Sequence, residues 1–81
     1  MYIIDWETYF EYEGMQMVVA GYNVDKEIVE GVEEGFEISA EAEIYVVEEE
    51  DGRYEFLFWG ITPAKIRKKR KGWELVELEL D

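Results

Sequence analysis

The 81-residue chain has no cysteine and no histidine, and only one proline, one serine, one asparagine and one glutamine. Without cysteine there is no disulfide, and without a Cys/His cluster there is no structural zinc site. A chain this short buries only about 60% of its extended surface, so its stability must come from packing. The same absences exclude nucleophilic catalysis. Ser39, Thr8 and Thr62 have no histidine to serve as base, and neither a Ser-His-Asp nor a Cys-His arrangement can be assembled. With 21 acids, a carboxylate pair suited to glycoside hydrolysis is always arithmetically available, and for that reason uninformative. The expectation is a non-enzyme that uses no cofactor.

Long apolar runs are also missing. The longest, Phe56 to Ile61, is far short of the ~18 residues of a membrane helix. The N-terminus reaches Asp5 without a basic region, so it does not read as a signal peptide. One soluble domain over residues 1–81, cytoplasmic or otherwise intracellular, is expected. Scarce thermolabile residues beside abundant Glu fit a heat-adapted chain, and a designed one equally.

What the chain has is acid, in an uneven distribution. Residues 1–64 sum to −15, the run from Lys65 to Lys71 to +6 and the tail to −4, for a net charge of −13. Most surfaces intersperse the two signs; this one separates them. The chain also carries 13 aromatics and a hydrophobic fraction of 48%, enough apolar area to build a core rather than a disordered chain.

Alternation locates the strands. Tyr2, Ile4, Trp6, Thr8, Phe10 and Tyr12 alternate with a more polar set, the period-two signature of a half-buried strand. Glu13-Gly14 supplies a turn, and residues 15–24 return as a second strand. Residues 37–49 place Ile38, Ala40, Ala42, Ile44 and Val46 on one side. Asp51-Gly52 is a tight hairpin signal, and strand four follows over 53–61, apolar on both faces as in a central strand. Residues 73–80 form a fifth strand whose phase slips between Leu75 and Val76, which predicts a bulge or burial on both faces.

Two short helices complete the expectation. Over 25–35, Asp25 suits the N-cap, Ile28, Val29 and Val32 share a face, and Gly35 suits the C-terminal stop; Gly31 within it weighs toward an irregular passage instead. Over 62–72, Thr62, Pro63 and Gly72 punctuate a helix, with the basic residues toward its C-terminal end, where the dipole favours them. The order ββ(α)ββαβ predicts an α+β fold, mostly antiparallel and similar to the β-grasp arrangement. A small five-stranded barrel is the alternative if 25–35 is a loop.

Three features bear on function. Glu48-Glu49-Glu50-Asp51-Gly52 lacks the ligand spacing of an EF-hand loop and reads as a solvated turn. The stretch from Gly52 to Phe58 loosely resembles the aromatic strand of RNA-recognition modules, but Glu55 interrupts it and acids crowd it, so its aromatics are assigned to the core. The basic helix of Lys65, Arg67, Lys68, Lys69, Arg70 and Lys71 has charge enough for nucleic acid. The acidic remainder opposes that use, and the run is read chiefly as a structural counterweight to neighbouring carboxylates. Direct nucleic-acid binding is therefore a third-ranked reading.

The carboxylates carry the stronger signal. Asp5, Glu7 and Glu11 on strand one, Glu37, Glu41 and Glu43 on strand three, and Glu77 and Glu79 on strand five are expected on outer faces, forming a lattice of negative charge. Like charges facing each other destabilise a sheet, which suggests a use for the array. The reading is an acidic binding module that engages a basic protein surface, as a nucleic-acid mimic or inhibitor would, with Tyr9 and Tyr45 as aromatic anchors. A stable scaffold without a dedicated partner is the alternative.

Overall fold

The computed structural model describes residues 1–80. Five strands, β1 (Tyr2–Tyr12), β2 (Met15–Asn23), β3 (Glu37–Glu50), β4 (Arg53–Lys68) and β5 (Trp73–Leu78), follow one another across a single antiparallel sheet in the order β1-β2-β3-β4-β5. One short helix, α1 (Lys26–Glu30), lies between β2 and β3. About 70% of the residues are strand and 6% helix, and the sheet curls into a half-barrel. The expected α+β fold with two helices is therefore overturned: the protein is nearly all-β.

The two tight hairpins form where their residues require. Glu13 and Gly14 both have positive φ (50° and 78°), as do Asp51 and Gly52 (52° and 75°). Two successive positive φ values give the turn whose twist matches that of paired strands, and glycine at the second position makes it inexpensive. The helix starts as its residues dictate, with the Asp25 carboxylate accepting the Glu27 N–H at 3.0 Å. It stops at Gly31 rather than near Gly35.

The second expected helix, over 62–72, is absent. Those residues continue β4 as far as Lys68 and then turn back. Thr62, Ala64 and Ile66 are buried and alternate with Pro63, Lys65 and Arg67, so burial follows period two and overrides the helix-like punctuation. Pro63 is tolerated for a geometric reason. An extended residue directs its N–H and C=O to the same side, and the Pro63 carbonyl accepts the Glu79 N–H on the β5 side. Its missing donor thus faces the fraying end of β5 and not the β3 ladder.

The core lies on the inner face of the curl. Met17, Val19, Tyr22 and Val24 of the β2 region, Ala40, Ala42 and Ile44 of β3, Ala64 and Ile66 of β4, and Val29 of α1 form one buried cluster, flanked by Ile3, Phe10, Trp73 and Leu75. Each fully buried aliphatic side chain contributes about 1.5–3 kcal/mol, so Ile44 and Ile66 hold the long β3–β4 pair to the rest.

Irregularities decide which side chains face out. The β1–β2 register shifts between Ile4 and Thr8, opposite a shift in β2–β3 between Val19 and Gly21. Before the β1 bulge Ile3 points inward, and after it Thr8, Phe10 and Tyr12 do. Tyr2, Ile4 and Trp6 therefore do not share a face with Phe10 and Tyr12; they are exposed. In β5 the partners jump from Leu75 to Glu77, leaving Val76 as the extra residue, a bulge at the expected phase slip.

Candidate interaction face

Cross-strand register builds the outer face row by row. Tyr9 pairs with Val18, Val18 with Tyr45, and Tyr45 with Phe58. Paired residues point to the same side of a sheet, so this row spans four strands of the outer face. The next row toward the hairpin tips holds Val47 opposite Phe56, and the one after it Glu49 opposite Tyr54. Trp6, displaced outward by the bulge, lies 5.5 Å from the Tyr45 ring and 5.4 Å from Phe56, while Tyr45 lies 5.5 Å from Phe58. These tilted and edge-on contacts are the favoured aromatic geometries. They lie over buried Val18 and Val47 and leave Tyr45 half-buried, yet Trp6, Phe56 and Phe58 stay open to solvent, with Phe58 58% and Tyr54 64% exposed.

The assignment of the strand-four aromatics to the core is corrected here. Tyr54, Phe56 and Phe58 sit on the outer face. Nor is this half of β4 central, because β5 pairs only with Ala64 to Lys68. A fifth strand of six residues cannot cover a fourth of sixteen, a mismatch that emerges only once residues 62–68 are seen to continue β4. The sequence places Tyr9 and Tyr45 on one face, and the register brings them into one row.

The eight carboxylates are not one lattice. Glu41 and Glu43 line the outer side of β3 opposite Pro63 and Ile61, Glu11 lies opposite Gln16, and Glu7 is exposed within the β1 bulge. Glu43 is anchored: its Oε1 accepts the Tyr45 hydroxyl at 2.6 Å. That hydrogen bond, with partial burial and the Glu43 charge, raises the Tyr45 hydroxyl above its ordinary pKa. Tyr2 is raised as well, by burial first and then by Glu43. Its ring lies against Gly21, where a Cβ would come within 2.6 Å of it and 2.4 Å of the Ile3 carbonyl.

Asp5 leaves the array altogether. Its carboxylate accepts the Glu7 N–H at 3.1 Å, the Thr8 hydroxyl at 2.7 Å and the Tyr22 hydroxyl at 2.9 Å. Tyr22 is fully buried, so Asp5 ties the bulge to the core and presents little charge outward. Burial, reinforced by Asp5, pushes the Tyr22 hydroxyl far above the usual tyrosine range.

The remaining acids of the set lie near the basic run. Arg67 donates to Glu74 at 2.9 Å and to Glu37 at 3.3 Å, and Lys69 lies 3.3 Å from Glu74. The paired carboxylates hold the Arg67 guanidinium above its usual pKa, and Arg67 followed by Lys69 draws Glu74 below the usual carboxylate range. Lys65 stands opposite Glu77, and Glu79 follows beside Pro63. Lys68 places its ammonium 5.7 Å from the Trp73 ring centre, and Lys69, Arg70 and Lys71 lie in the β4–β5 turn. The basic residues form a strand end and a turn, interleaved with Glu37, Glu74 and Glu77.

Acid is thus left least balanced at the other end, where the two hairpin tips lie together. Glu11, Glu13, Glu48, Glu49, Glu50, Asp51 and Glu55 gather there with Arg53 as the one basic residue in those segments. Among the described residues no group of three or more acids converges closely enough to hold a metal ion. No helix among them is long and apolar enough to cross a membrane. Comparison with protein-family models, curated proteins and solved structures finds no match for this chain.

Proposed function

We propose that the protein is a non-enzymatic binding module whose outer face engages a basic protein surface. The carrying observation is the aromatic row in which exposed Tyr9 and Phe58 flank a half-buried Tyr45, braced by Trp6, on a sheet whose neighbouring acids, Glu7, Glu11, Glu43 and Glu49, have no basic side chain paired to them among the described residues. Aromatic anchors within a charged rim are the usual anatomy of a recognition patch. Unbalanced carboxylates supply the steering field for a cationic partner. Rings of this kind also attract Lys and Arg heads directly, as Trp73 does with Lys68.

A titration with a defined Lys/Arg-rich peptide, followed by Trp6 fluorescence in a variant lacking the tryptophans at 59 and 73, tests this reading. Binding is expected at low salt and is expected to weaken steeply by 0.5 M salt. The triple change Glu7→Gln, Glu11→Gln, Glu43→Gln is expected to flatten that salt dependence, and Tyr9→Ala to weaken binding by about tenfold. Competition between this protein and duplex DNA for a basic DNA-binding domain separates nucleic-acid mimicry from general cation binding. Absence of peptide binding at low salt would overturn the proposal and leave a scaffold without a dedicated partner.

A further inference from the structure

The half of β4 before Thr62 is an open sheet edge. Its inner neighbour is β3 along the whole length, whereas on the other side β5 reaches only Ala64 to Lys68. Arg53 to Ile61 therefore present one row of backbone donors and acceptors that no described strand pairs. The side chains on this edge are apolar on both faces: Tyr54, Phe56, Phe58 and Ile61 outward, Leu57 and Trp59 inward, all of them exposed. Natural sheets usually guard such edges with lysine, proline, a bulge or a covering segment. Here the guards are Glu55 and a bulge at Trp59. The opposite edge of the sheet, in β1, is broken in its middle by the bulge around Asp5.

We infer that a second copy of this chain covers this edge, β4 pairing antiparallel with β4 over Arg53–Ile61 about a two-fold axis. The edge is self-complementary. With the axis through Leu57, the midpoint of the free segment, Phe56 of each copy faces Phe58 of the other. Glu55 then meets Trp59 on the inner face; beyond the Trp59 bulge the faces of the two strands fall out of step, and Arg53 reaches the neighbourhood of Ile61 and Glu79 without facing Ile61, so no like charges are opposed. The notch left where β5 ends receives the incoming strand. The six exposed side chains offer roughly 600 Å² per copy, a large part of the ~800 Å² that each partner buries in a standard interface, and the ladder hydrogen bonds are added to that. Such a contact is isologous, so it closes at two copies and does not propagate into fibres. The axis is normal to the sheet, which keeps both outer faces on one side of a continuous ten-stranded sheet. This assembly does not depend on the basic-partner proposal, but it would place two copies of the acidic aromatic face side by side.

Charge separates the two proposals experimentally. Each copy carries −13, so salt screens repulsion between copies and is expected to strengthen the dimer while it weakens binding of a basic peptide. Analytical ultracentrifugation from 5 µM to 500 µM in 0.5 M salt is expected to show a species of twice 9.7 kDa. Phe58→Lys with Ile61→Lys, both on exposed positions, is expected to leave the circular dichroism spectrum and melting cooperative and to shift the dimer dissociation constant upward at least tenfold. These changes reduce the net negative charge, so general electrostatics alone would move association the other way. Hydrogen exchange on the wild-type protein supplies a readout without mutation: the amides of 53–61 are expected to slow with rising concentration, while those of β1 do not. A monomer at 500 µM in high salt, a dimer indifferent to the two lysines, or protection elsewhere would each overturn the inference.

Discussion

Removing one hydroxyl tests how the β1 bulge is tied down. Tyr22 is fully buried and donates to Asp5 at 2.9 Å, and a hydrogen bond to a charged acceptor contributes about 1.5–3 kcal/mol. Asp5 is half-buried and keeps the Glu7 N–H and the Thr8 hydroxyl as donors, which sets Tyr22→Phe at the low end, about 1–2 kcal/mol. In a domain of this size each kcal/mol moves Tm by about 4–8 °C. Urea unfolding followed by tryptophan fluorescence at pH 7 is expected to show the midpoint lowered with the slope unchanged. The variant also carries a pH signature. The folded-state pKa of Tyr22 lies above the unfolded value of about 10, so the stabilisation is complete below pH 10 and is lost as pH rises toward the folded value. By pH 11 the wild-type protein forfeits about 1.4 kcal/mol from this group, and the variant forfeits none of it. The gap between the two proteins must therefore narrow between pH 8 and pH 11. A midpoint change under about 0.3 kcal/mol, or a gap independent of pH, would refute the assigned role of the Asp5–Tyr22 bond.

Three further outcomes are expected. Gly21→Ala drives a Cβ to within 2.4 Å of the Ile3 carbonyl and 2.6 Å of the Tyr2 ring; the backbone must yield, at a cost of about 1–3 kcal/mol, and an unchanged urea midpoint would show that β1 is not seated as described. Ile66→Ala empties a fully buried site at about 2–5 kcal/mol, whereas Ile61→Ala, 60% exposed, is expected within ~0.5 kcal/mol; comparable losses would contradict the inward placement of Ile66 and the outward placement of Ile61. Glu74→Gln removes the carboxylate that Arg67 and Lys69 share. The folded-state pKa of Glu74 is depressed, so its contribution is present above the usual carboxylate pKa and lost as pH falls through the lower folded value. Thermal melts of the two proteins are expected to differ at pH 7 and to converge near pH 2, and a difference that persists in acid would rule the ion pairs out as its source.

The features readable in the sequence are those set by neighbouring residues. Glu13-Gly14 and Asp51-Gly52 announce their turns because glycine at positive φ is a local requirement, and Asp25 announces the start of α1 because capping is too. The bulge at Val76 is legible because it breaks an alternation within one strand. What eluded sequence reasoning depends on distant partners. Thr62, Pro63 and Gly72 are placed as helix punctuation, yet Ala64 and Ile66 are drawn inward by β3 and β5, and the segment follows the sheet. The bulge between Ile4 and Thr8 breaks no alternation that β1 alone reveals, and it lies opposite a second slip, where Val19 and Gly21 pair with successive residues of β3. The bulge in β1 moves Trp6 outward and Asp5 inward, so it changes both the aromatic and the acidic content of the outer face.

The charge separation along the chain takes on a different meaning once β4 is a strand. A basic helix would have stood apart as a cationic surface and left the carboxylates to repel one another across the sheet. As the end of β4, the run instead lies between β3 and β5, so Arg67 meets Glu37 and Glu74, and Lys65 faces Glu77. Part of the positive charge, that of Arg67 and Lys69, is paired where it lies. The hairpin-tip end receives none of it, and there the acids surround rings that the short β5 also leaves uncovered. That β5 stops short along β4 leaves the aromatic edge open, while the confinement of the basic run to the far end of β4 leaves the tip acids unbalanced. Extending the β5 ladder along Arg53–Ile61, for instance by appending a designed strand after Asp81, should therefore suppress self-association while leaving the acids of β1 and β3 free to bind a cationic peptide. Loss of both activities in such a chain would mean that the edge and the face are one site.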